Sequence, residues 1–592
     1  MTLRTDLARL GRAMRLATSS RAYFAYSLKL ALGCVTAGGR RAFARNLRGL
    51  ALPPRGEIDY RDWLAARIAG RGARFPLRSV PGRFSFLTTV YDTRAHYVRR
   101  LAATVFAQTV QDFEWVVLDN GSRDQDTVAA IAELVQDPRV VHLHVGDNLG
   151  ILGGIAACLQ HSSGRYVLPL DSDDLLTPDA LQVLSHAIDA HGEPPLLFSD
   201  EDKVKDDERP FEAYLKPAWD PVLFWNSCFI AHLCAIRRDL ALELGVYGDD
   251  GAKGCHDWDT FFRFLHAGHA PVHVPEVLYS WRIHPQSCSG NVFSKEYVWA
   301  SHRHVLGRNL QALPCHDLFA LEPSPLFAGT PDWWVRRRRE RPLPVGALFV
   351  QRRGGAVPQW LDRAPLVAAI ECVDARALHD LGGALARLGA HDPDGRGLTL
   401  IASEGTAPRS DEWAWDAMGL CERFPDTAVV GGRLLDPEGT LWSAGEVIGF
   451  EGLVGSPDRG RDEHDPGYFA WLKKQRTVSA VQAAFVLVRT DFLRAFAARR
   501  HPASLHLLGA WLAAFAHEQG RRVVFSPFVE ATVASDQPRS EAAGGAEVLA
   551  LRAAHPRFAE GERAYPRVLG LDRRHPYALA ARRADGNGAV TA

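Results

Sequence analysis

From residue 84 onward the chain alternates short apolar runs with amphipathic stretches. FSFLTTV (84–90), rich in β-branched and aromatic residues, predicts a strand. In RAHYVRRLAATVFA, Tyr97, Leu101 and Val105 recur every four residues and predict a helix, with Thr93 as its N-cap. EWVVLD (114–119) predicts a second strand ending in the turn Asn120-Gly121-Ser122, and DTVAAIAELV (126–135) a helix. RVVHLHV (139–145) predicts a third strand, NLGILGGIAACLQHS (148–162) a helix with a glycine-rich start, and RYVLPL (165–170) a fourth strand. Thr177-Pro178 opens another helix, threonine as N-cap and proline at the first position, with Leu181, Leu184 and Ile188 as its buried stripe. Four strand–helix units in succession predict an α/β fold: a mostly parallel, Rossmann-like sheet flanked by helices.

Ligands of such sheets bind at the carboxyl ends of the strands. That places Thr89, Tyr91 and Asp92 after the first strand, Asp119 after the second, and Asp171 and Asp173 after the fourth, at one crevice. LPLDSDD (168–174) puts three carboxylates into four positions, which is unfavourable unless solvent, a helix N-terminus or a cation neutralises them. Oxygen ligands favour Mg2+ or Mn2+. Standing alone, DSDD is also a turn with a helix-capping acid. Tyr91 could stack on a base or simply close a strand, and Asp119 could accept an imide N–H or simply form the turn. Asn148-Leu149-Gly150 with Gly153-Gly154 suits a nearby phosphate or ribose, although no GxGxxG is present. GCHDWDTFFRFL (254–265) sets Asp257 and Asp259 in the first turn of a helix, as a general base or as favourable charge there. YSWRIHP (279–285) presents Arg282 to a phosphate and His284 to a metal, although a single histidine is more often structural.

Length and composition set the wider picture. A chain of 592 residues requires two or more cores, and 47% hydrophobic with 23% charged residues is globular rather than disordered. The formal net charge of zero gives no argument for nucleic-acid binding. Residues 1–50 hold ten Lys/Arg against the single acid Asp6, a pattern for peripheral contact with anionic lipid or for a solvated helical extension. Nine cysteines without a CxxC pair fit a reducing compartment and argue against a zinc or disulfide framework. AYFAYSLKLALGCV (22–35) is too short to span a bilayer, carries Lys29 and lies too far in for a signal peptide, so the expected location is cytoplasmic. The expected domains are a basic helical extension (1–55), a first α/β domain (56–325), a proline-rich basic linker (326–345), a second α/β domain (346–540) and a tail (541–592).

The ordered set TVYDT, AQTVQDFEWVVLDNGSRD, DNLGILGG, LPLDSDDLLTPDAL, FSDEDKV, HDWDTFFRFLHAG and LYSWRIHP resembles the family 2 glycosyltransferases of GT-A fold, in particular large bacterial rhamnosyltransferases and O-antigen glycosyltransferases. The resemblance runs from about residue 60 to 310. It implies inverting transfer from a nucleotide-activated sugar, UDP- or dTDP-linked, to a hydroxyl of a glycan or lipid-linked glycan. Carried over by position, Thr89 and Tyr91 would cradle the base and Asp119 would bind it. Asp171 would contact ribose or metal, Asp173 and His284 would ligate Mn2+ or Mg2+, and Asp257 would be the base. The family usually has Asn where this chain has Asp92, and Glu or Gln where it has His256. AVVGGRLLDPEGTLWSAGEVIG (428–449), DPGYFAWLKKQRTVSAVQAAFVLVRTDFL (465–493) and GRRVVFSPF (520–528) resemble a second, tandem copy. Its catalytic positions are lost: LIASEGTAP (400–408) keeps only Glu404, LHLLGAWLAAF (505–515) has no carboxylate, and no nucleotide-binding turn is recognisable. A sugar nucleotidyltransferase would need a glycine-rich basic loop near 84–95, which is absent. The remaining alternative is a non-catalytic glycan-binding or scaffold protein built from two decayed domains.

Overall fold

The computed structural model describes residues 60–284, 296–327, 330–352, 354–537, 539–556, 564–571 and 576–579. The basic segment 1–55, with its expected helix and membrane contact, lies outside them. The chain forms two compact units, one built mainly from residues 58–317 and the other from 336–581.

The apolar runs of the first unit become the strands β1 (Phe84–Val90), β2 (Glu114–Asn120), β3 (Val140–Val145) and β4 (Tyr166–Pro169). They continue with β5 (Leu175–Leu176), β6 (Leu196–Val204), β7 (Phe211–Tyr214), β8 (Cys234–Arg237) and β9 (Val272–Arg282). The sheet order is β3-β2-β1-β4-β8-β6-β9-β5, with β7 on β6. The first four strands are parallel, as expected. The rest is mixed: β8 runs antiparallel to both β4 and β6, and β5 antiparallel to β9.

The helices are α1 (Tyr60–Ala69), α2 (Ala95–Phe106), α3 (Gln125–Leu134), α4 (Gly150–His161), α5 (Ala180–Ala190), α6 (Arg238–Glu243), α7 (His256–His266) and α8 (Glu296–Gln311). Tyr97, Leu101 and Val105 of α2 and the α5 stripe Leu181, Leu184, Ile188 are all buried. The expected caps differ. Helix α2 starts one residue later, and the Thr93 hydroxyl instead meets Ser172 Oγ at 2.7 Å. Helix α5 starts after Asp179, because Thr177 is held by β9: its N–H donates to Leu278 O (3.0 Å).

Where a linker was expected (326–345), β10 (Phe319–Pro323) and β11 (Trp333–Arg337) form a two-stranded ribbon, and β12 (Val345–Gln351) already begins. The second unit continues with β13 (Val367–Asp374), β14 (Leu398–Ser403), β15 (Thr406–Pro408), β16 (Thr427–Leu435) and β17 (Leu441–Ser443). Then come β18 (Val447–Ile448), β19 (Val454–Gly455), β20 (Arg476–Thr477), β21 (Phe485–Arg489) and β22 (Arg522–Val533). Its helices are α9 (Leu381–Leu388), α10 (Glu412–Arg423), α11 (Thr490–Ala497), α12 (Leu505–Glu518) and α13 (Gly545–Ala554). The expected tail after 540 is part of this unit: Leu551, Tyr565 and Leu569 are buried.

The second sheet runs β13-β12-β14-β21-β16-β22-β15, which follows the path of the first with no counterpart of β3 among the described residues; β17 on β16 answers β7 on β6, and β20 on β22 is additional. Every pairing keeps its sense: β12 is parallel to β13 and β14, β21 antiparallel to β14 and β16, β16 parallel to β22. The register is also shared. Tyr166 faces Arg237 as Leu398 faces Arg489. Leu196 faces Ile236 as Val429 faces Val488, and Glu201 faces Tyr279 as Leu434 faces Ala531. The chain is a structural tandem repeat, and each residue of the first crevice has a definable counterpart.

Candidate active site

The first crevice is built on the turn that ends β4. Asp174, fully buried, accepts from the Tyr279 hydroxyl and from Arg282 N (2.6 Å). Burial, together with the negative Asp173 and Asp171, holds its carboxyl well above the ordinary range. Arg282 donates to the carbonyl oxygens of Asp173 (2.6 Å) and Lys205 (3.1 Å) and to Glu208 (3.1 Å), and its guanidinium lies 4.6 Å from the Tyr97 ring. The arginine expected to face a phosphate is thus directed at the backbone of the acidic turn, which it holds in place.

With Asp174 tied inward, Asp171 and Asp173 point to the crevice. Asp173 Oδ2 lies 2.7 Å from His284 Nε2, so the two expected metal ligands meet. Asp171 is the exposed acid of the turn, and its carboxyl lies in the field of Asp173 and Asp257, which raise its pKa, and of His232, which lowers it. Asp257, half-buried in the first turn of α7, is 3.6 Å from His256. The other acid of that turn, Asp259, is buried and bound to Arg263 (2.8 Å) and Arg308, which makes it the structural partner. Buried Trp258, Phe261 and Phe262 anchor the helix beneath Asp257.

Among the described residues no three His, Cys, Asp or Glu side chains come close enough together to hold a metal ion. The Asp173–His284 pair nonetheless fits one. A carboxylate oxygen and an imidazole nitrogen facing each other suit a hard or borderline divalent cation.

The expected nucleotide-binding residues lie across the ends of β1 to β3. Thr89 packs on α4 at Gly154, where a Cβ would come within 2.6 Å of Thr89 Cγ2; only glycine allows that approach. Tyr91 is 47% exposed, a large aromatic ring left open to solvent at a strand end. Asp119 is buried, with Oδ1 accepting from Ser122 N (2.9 Å) and Oδ2 3.1 Å from His144 Nδ1. Asn148 caps its own loop: Oδ1 accepts from Gly150 N (2.7 Å) and Asn120 Nδ2 (3.1 Å). Gly121, at φ 82°, lets the β2 turn pass within contact of Asn148 N. Asp92, also at positive φ, accepts from the backbone of Arg123 (2.7 Å) and Asp124 (2.9 Å), which depresses its carboxyl. The three turns are therefore sewn together by hydrogen bonds.

The acids of FSDEDKV (198–204) carry no role in the motif pattern of the sequence. Asp200, Glu201 and Asp202 are all buried in β6, where charge survives only with partners. Asp200 accepts from Lys216 N (2.8 Å) and meets His273 (2.8 Å). Glu201 accepts from buried Lys216 Nζ (3.2 Å) and from His232 N (2.6 Å). Three acids inside a strand pattern were the signal available.

Counting along the shared registers, Asp171, Asp173 and Asp174 correspond to Ser403, Gly405 and Thr406, and Tyr91 to Arg352. Asp119 corresponds to Asp374, which is paired with Arg376 (2.8 Å); the sequence had not revealed this surviving acid. Counting back from the helix-ending glycines Gly268 and Gly520, Asp257 corresponds to Gly509. A Cβ at Gly509 would lie 1.8 Å from Val481 O, so backbone closes on the position that Asp257 holds in the first unit. Glu404 accepts from Arg352 N (2.8 Å), and Arg352 also pairs with Asp536 (3.2 Å), the counterpart of His284. The second crevice is filled by the unit's own groups.

Residues 85–244 match the family described as glycosyl transferase family 2. Over 475 residues the chain is 26% identical to an uncharacterized protein, y4gI, of Sinorhizobium fredii, covering 74% of this chain and 52% of that protein. It is also 26% identical over 434 residues to the O-antigen biosynthesis protein RfbC of Myxococcus xanthus, covering 67% of this chain and 33% of RfbC. The chain thus spans about half the length or less of these relatives. Among solved structures, Staphylococcus aureus TarS 1–349 in complex with UDP-GlcNAc aligns at 17% identity and TM-score 0.33, covering 39% of this chain and 67% of that one.

Proposed function

We propose, for a chain that carries a glycosyl transferase family 2 domain over residues 85–244 and a GT-A type sheet in each unit, that the protein is an inverting, metal-dependent glycosyltransferase. It would move a hexosyl or deoxyhexosyl group from a UDP- or dTDP-sugar to a hydroxyl of a surface polysaccharide or lipid-linked glycan. The observation that carries this reading is the 2.7 Å Asp173–His284 pair set beside Asp171 and Asp257 at the end of β4. The name of the relative RfbC supports the acceptor class.

In this reading the Asp257 carboxylate removes the acceptor proton as the acceptor oxygen attacks the anomeric carbon. The new C–O bond forms on the face opposite the breaking bond to phosphate, and the nucleoside diphosphate departs with the bonding electrons. Mn2+ or Mg2+ held by Asp173 and His284, with Asp171 near, would supply positive charge to the departing diphosphate. Arg282 and Tyr279 keep the acidic turn in register, and Asp119 and Tyr91 receive the base. The second unit, with Gly509 and Gly405 in place of base and ligand, serves as a non-catalytic copy. No described helix is long and apolar enough to cross a membrane, and contact with lipid would rest on the basic segment before residue 56.

The test is calorimetric binding of UDP, dTDP and GDP, with and without Mn2+, to wild type, Asp173→Ala and Asp257→Asn. One nucleotide should bind with metal, lose at least about tenfold in affinity in Asp173→Ala, and bind Asp257→Asn unchanged while transfer falls by about a thousandfold or more. No binding by wild type would overturn the reading in favour of a decayed scaffold, and an active Asp257→Asn would remove that residue as base.

A further inference from the structure

His232 stands at the amino end of β8, and nothing in the reaction outlined above uses it. Its Nδ1 is turned inward, 3.5 Å from Glu201, and its backbone N–H donates to the same carboxylate at 2.6 Å. Glu201 in turn is fixed by fully buried Lys216. The ring stacks on Tyr279, 5.1 Å between centroids and 15° between planes. The side chain is 29% exposed while Nδ1 is enclosed, which leaves Nε2 as the accessible ring nitrogen. Electrostatically it couples to both Asp171 and Asp257. Burial lowers its pKa, and the carboxylates of Glu201, Asp171 and Asp257 raise it.

The internal repeat supplies a control. The Arg237–Asp239 pair, which holds the start of α6, is retained as Arg489–Asp491 at the start of α11. The His232 arrangement is not: Glu201 becomes Leu434, His232 becomes Ala484 and Tyr279 becomes Ala531. The sheet forms without these three residues, and they are lost together with Asp173 and Asp257. That is the behaviour of a group that serves the chemistry rather than the fold.

We propose that His232 is a binding residue for the transferred sugar: its imidazole, clamped by Glu201, presents Nε2 between Asp171 and Asp257 and donates to a hydroxyl of the ring in transit. This rests on the glycosyltransferase reading, in which the diphosphate lies at Asp173–His284 and the acceptor at Asp257, leaving the sugar between them. The test compares wild type, His232→Ala, His232→Gln and Glu201→Gln, using UDP, dTDP and GDP for binding and their sugar conjugates for turnover. Affinity for the sugar-free nucleoside diphosphate should stay within about twofold, turnover should fall by about a hundredfold in His232→Ala, and His232→Gln, which keeps an N–H donor, should recover about tenfold of it. Glu201→Gln should fall between these. Nucleotide affinity that drops together with turnover would assign His232 to the leaving group and overturn the proposal, as would unchanged turnover in His232→Ala. If His232→Ala melts early, His232→Gln and Glu201→Gln decide by the same split. A wild type that transfers from no donor refutes the glycosyltransferase reading itself.

Discussion

Asp202 lies inside β6 with its carboxylate 2.6 Å from the Tyr60 hydroxyl. Burial, opposed by the Tyr60 hydroxyl, leaves its pKa near 6 against an ordinary 3.8. The folded state therefore holds this proton more tightly than the unfolded chain. The stabilisation is complete below about pH 4 and is lost as the pH rises through about 6, amounting to at most about 3 kcal/mol. The melting temperature of wild type relative to Asp202→Asn should fall between pH 4 and 6 and stay level above that; parallel curves would show that Asp202 does not titrate there. The crevice was legible in the sequence wherever a residue announces its chemistry at short range: DSDD by its crowded charge, Asp257 by its place in a helix first turn. His232 was not, because its meaning depends on Glu201, 31 positions away, and on a strand pairing that no local pattern encodes. Arg282 has the right charge in the right place, and only the fold reveals that it is directed at the turn backbone.

Helix α1 shows the same limit at the scale of an element. Its sequence YRDWLAARIA has little apolar periodicity, and its hold on the sheet is ionic. Arg67 of α1, and Arg71 and Arg74 of the short helix Arg71–Arg74 that follows it, all converge on Glu276, with Arg71 also 2.9 Å from Asp179. Arg71 and Glu276 are buried, so removing one partner leaves charge without compensation. Arg71→Met should cost about 3 kcal/mol in urea unfolding, and combining it with Glu276→Gln should cost less than the sum of the two changes. A near-zero effect would mean that the clasp is dispensable. The strands β1 to β4, by contrast, were legible to within a residue or two, because period-two and continuous apolar runs are local signals. The antiparallel β8 was not, since the excursion before it, from 215 to 233, carries no repeat that fixes where it returns.

For the whole molecule, the repeat predicts one nucleotide per chain. The second unit has Gly509, Gly405 and Ser403 where the first has Asp257, Asp173 and Asp171, and Arg352 there is paired with Glu404 and Asp536, so calorimetry should return a stoichiometry near one; two sites would refute the non-catalytic assignment. The two-domain plan was legible because motif fragments recur in order, whereas the ribbon at 319–337 and the folded tail were not, being bound by contacts rather than by composition. The family match ends at residue 244, short of Asp257 and His284, which places half of the crevice beyond the part of the chain that is easiest to recognise. One further consequence follows from the strand the second sheet lacks. Without a counterpart of β3, β13 is the edge of the second sheet among the described residues, and an edge strand presents backbone groups that can pair with another strand. Along that edge stand Glu371, paired with Arg387, and Asp374, paired with Arg376. Of these two acids only Asp374 has an acidic counterpart, Asp119, while Glu371 stands where the first unit has Val116, and a charged border of this kind disfavours strand pairing with other chains.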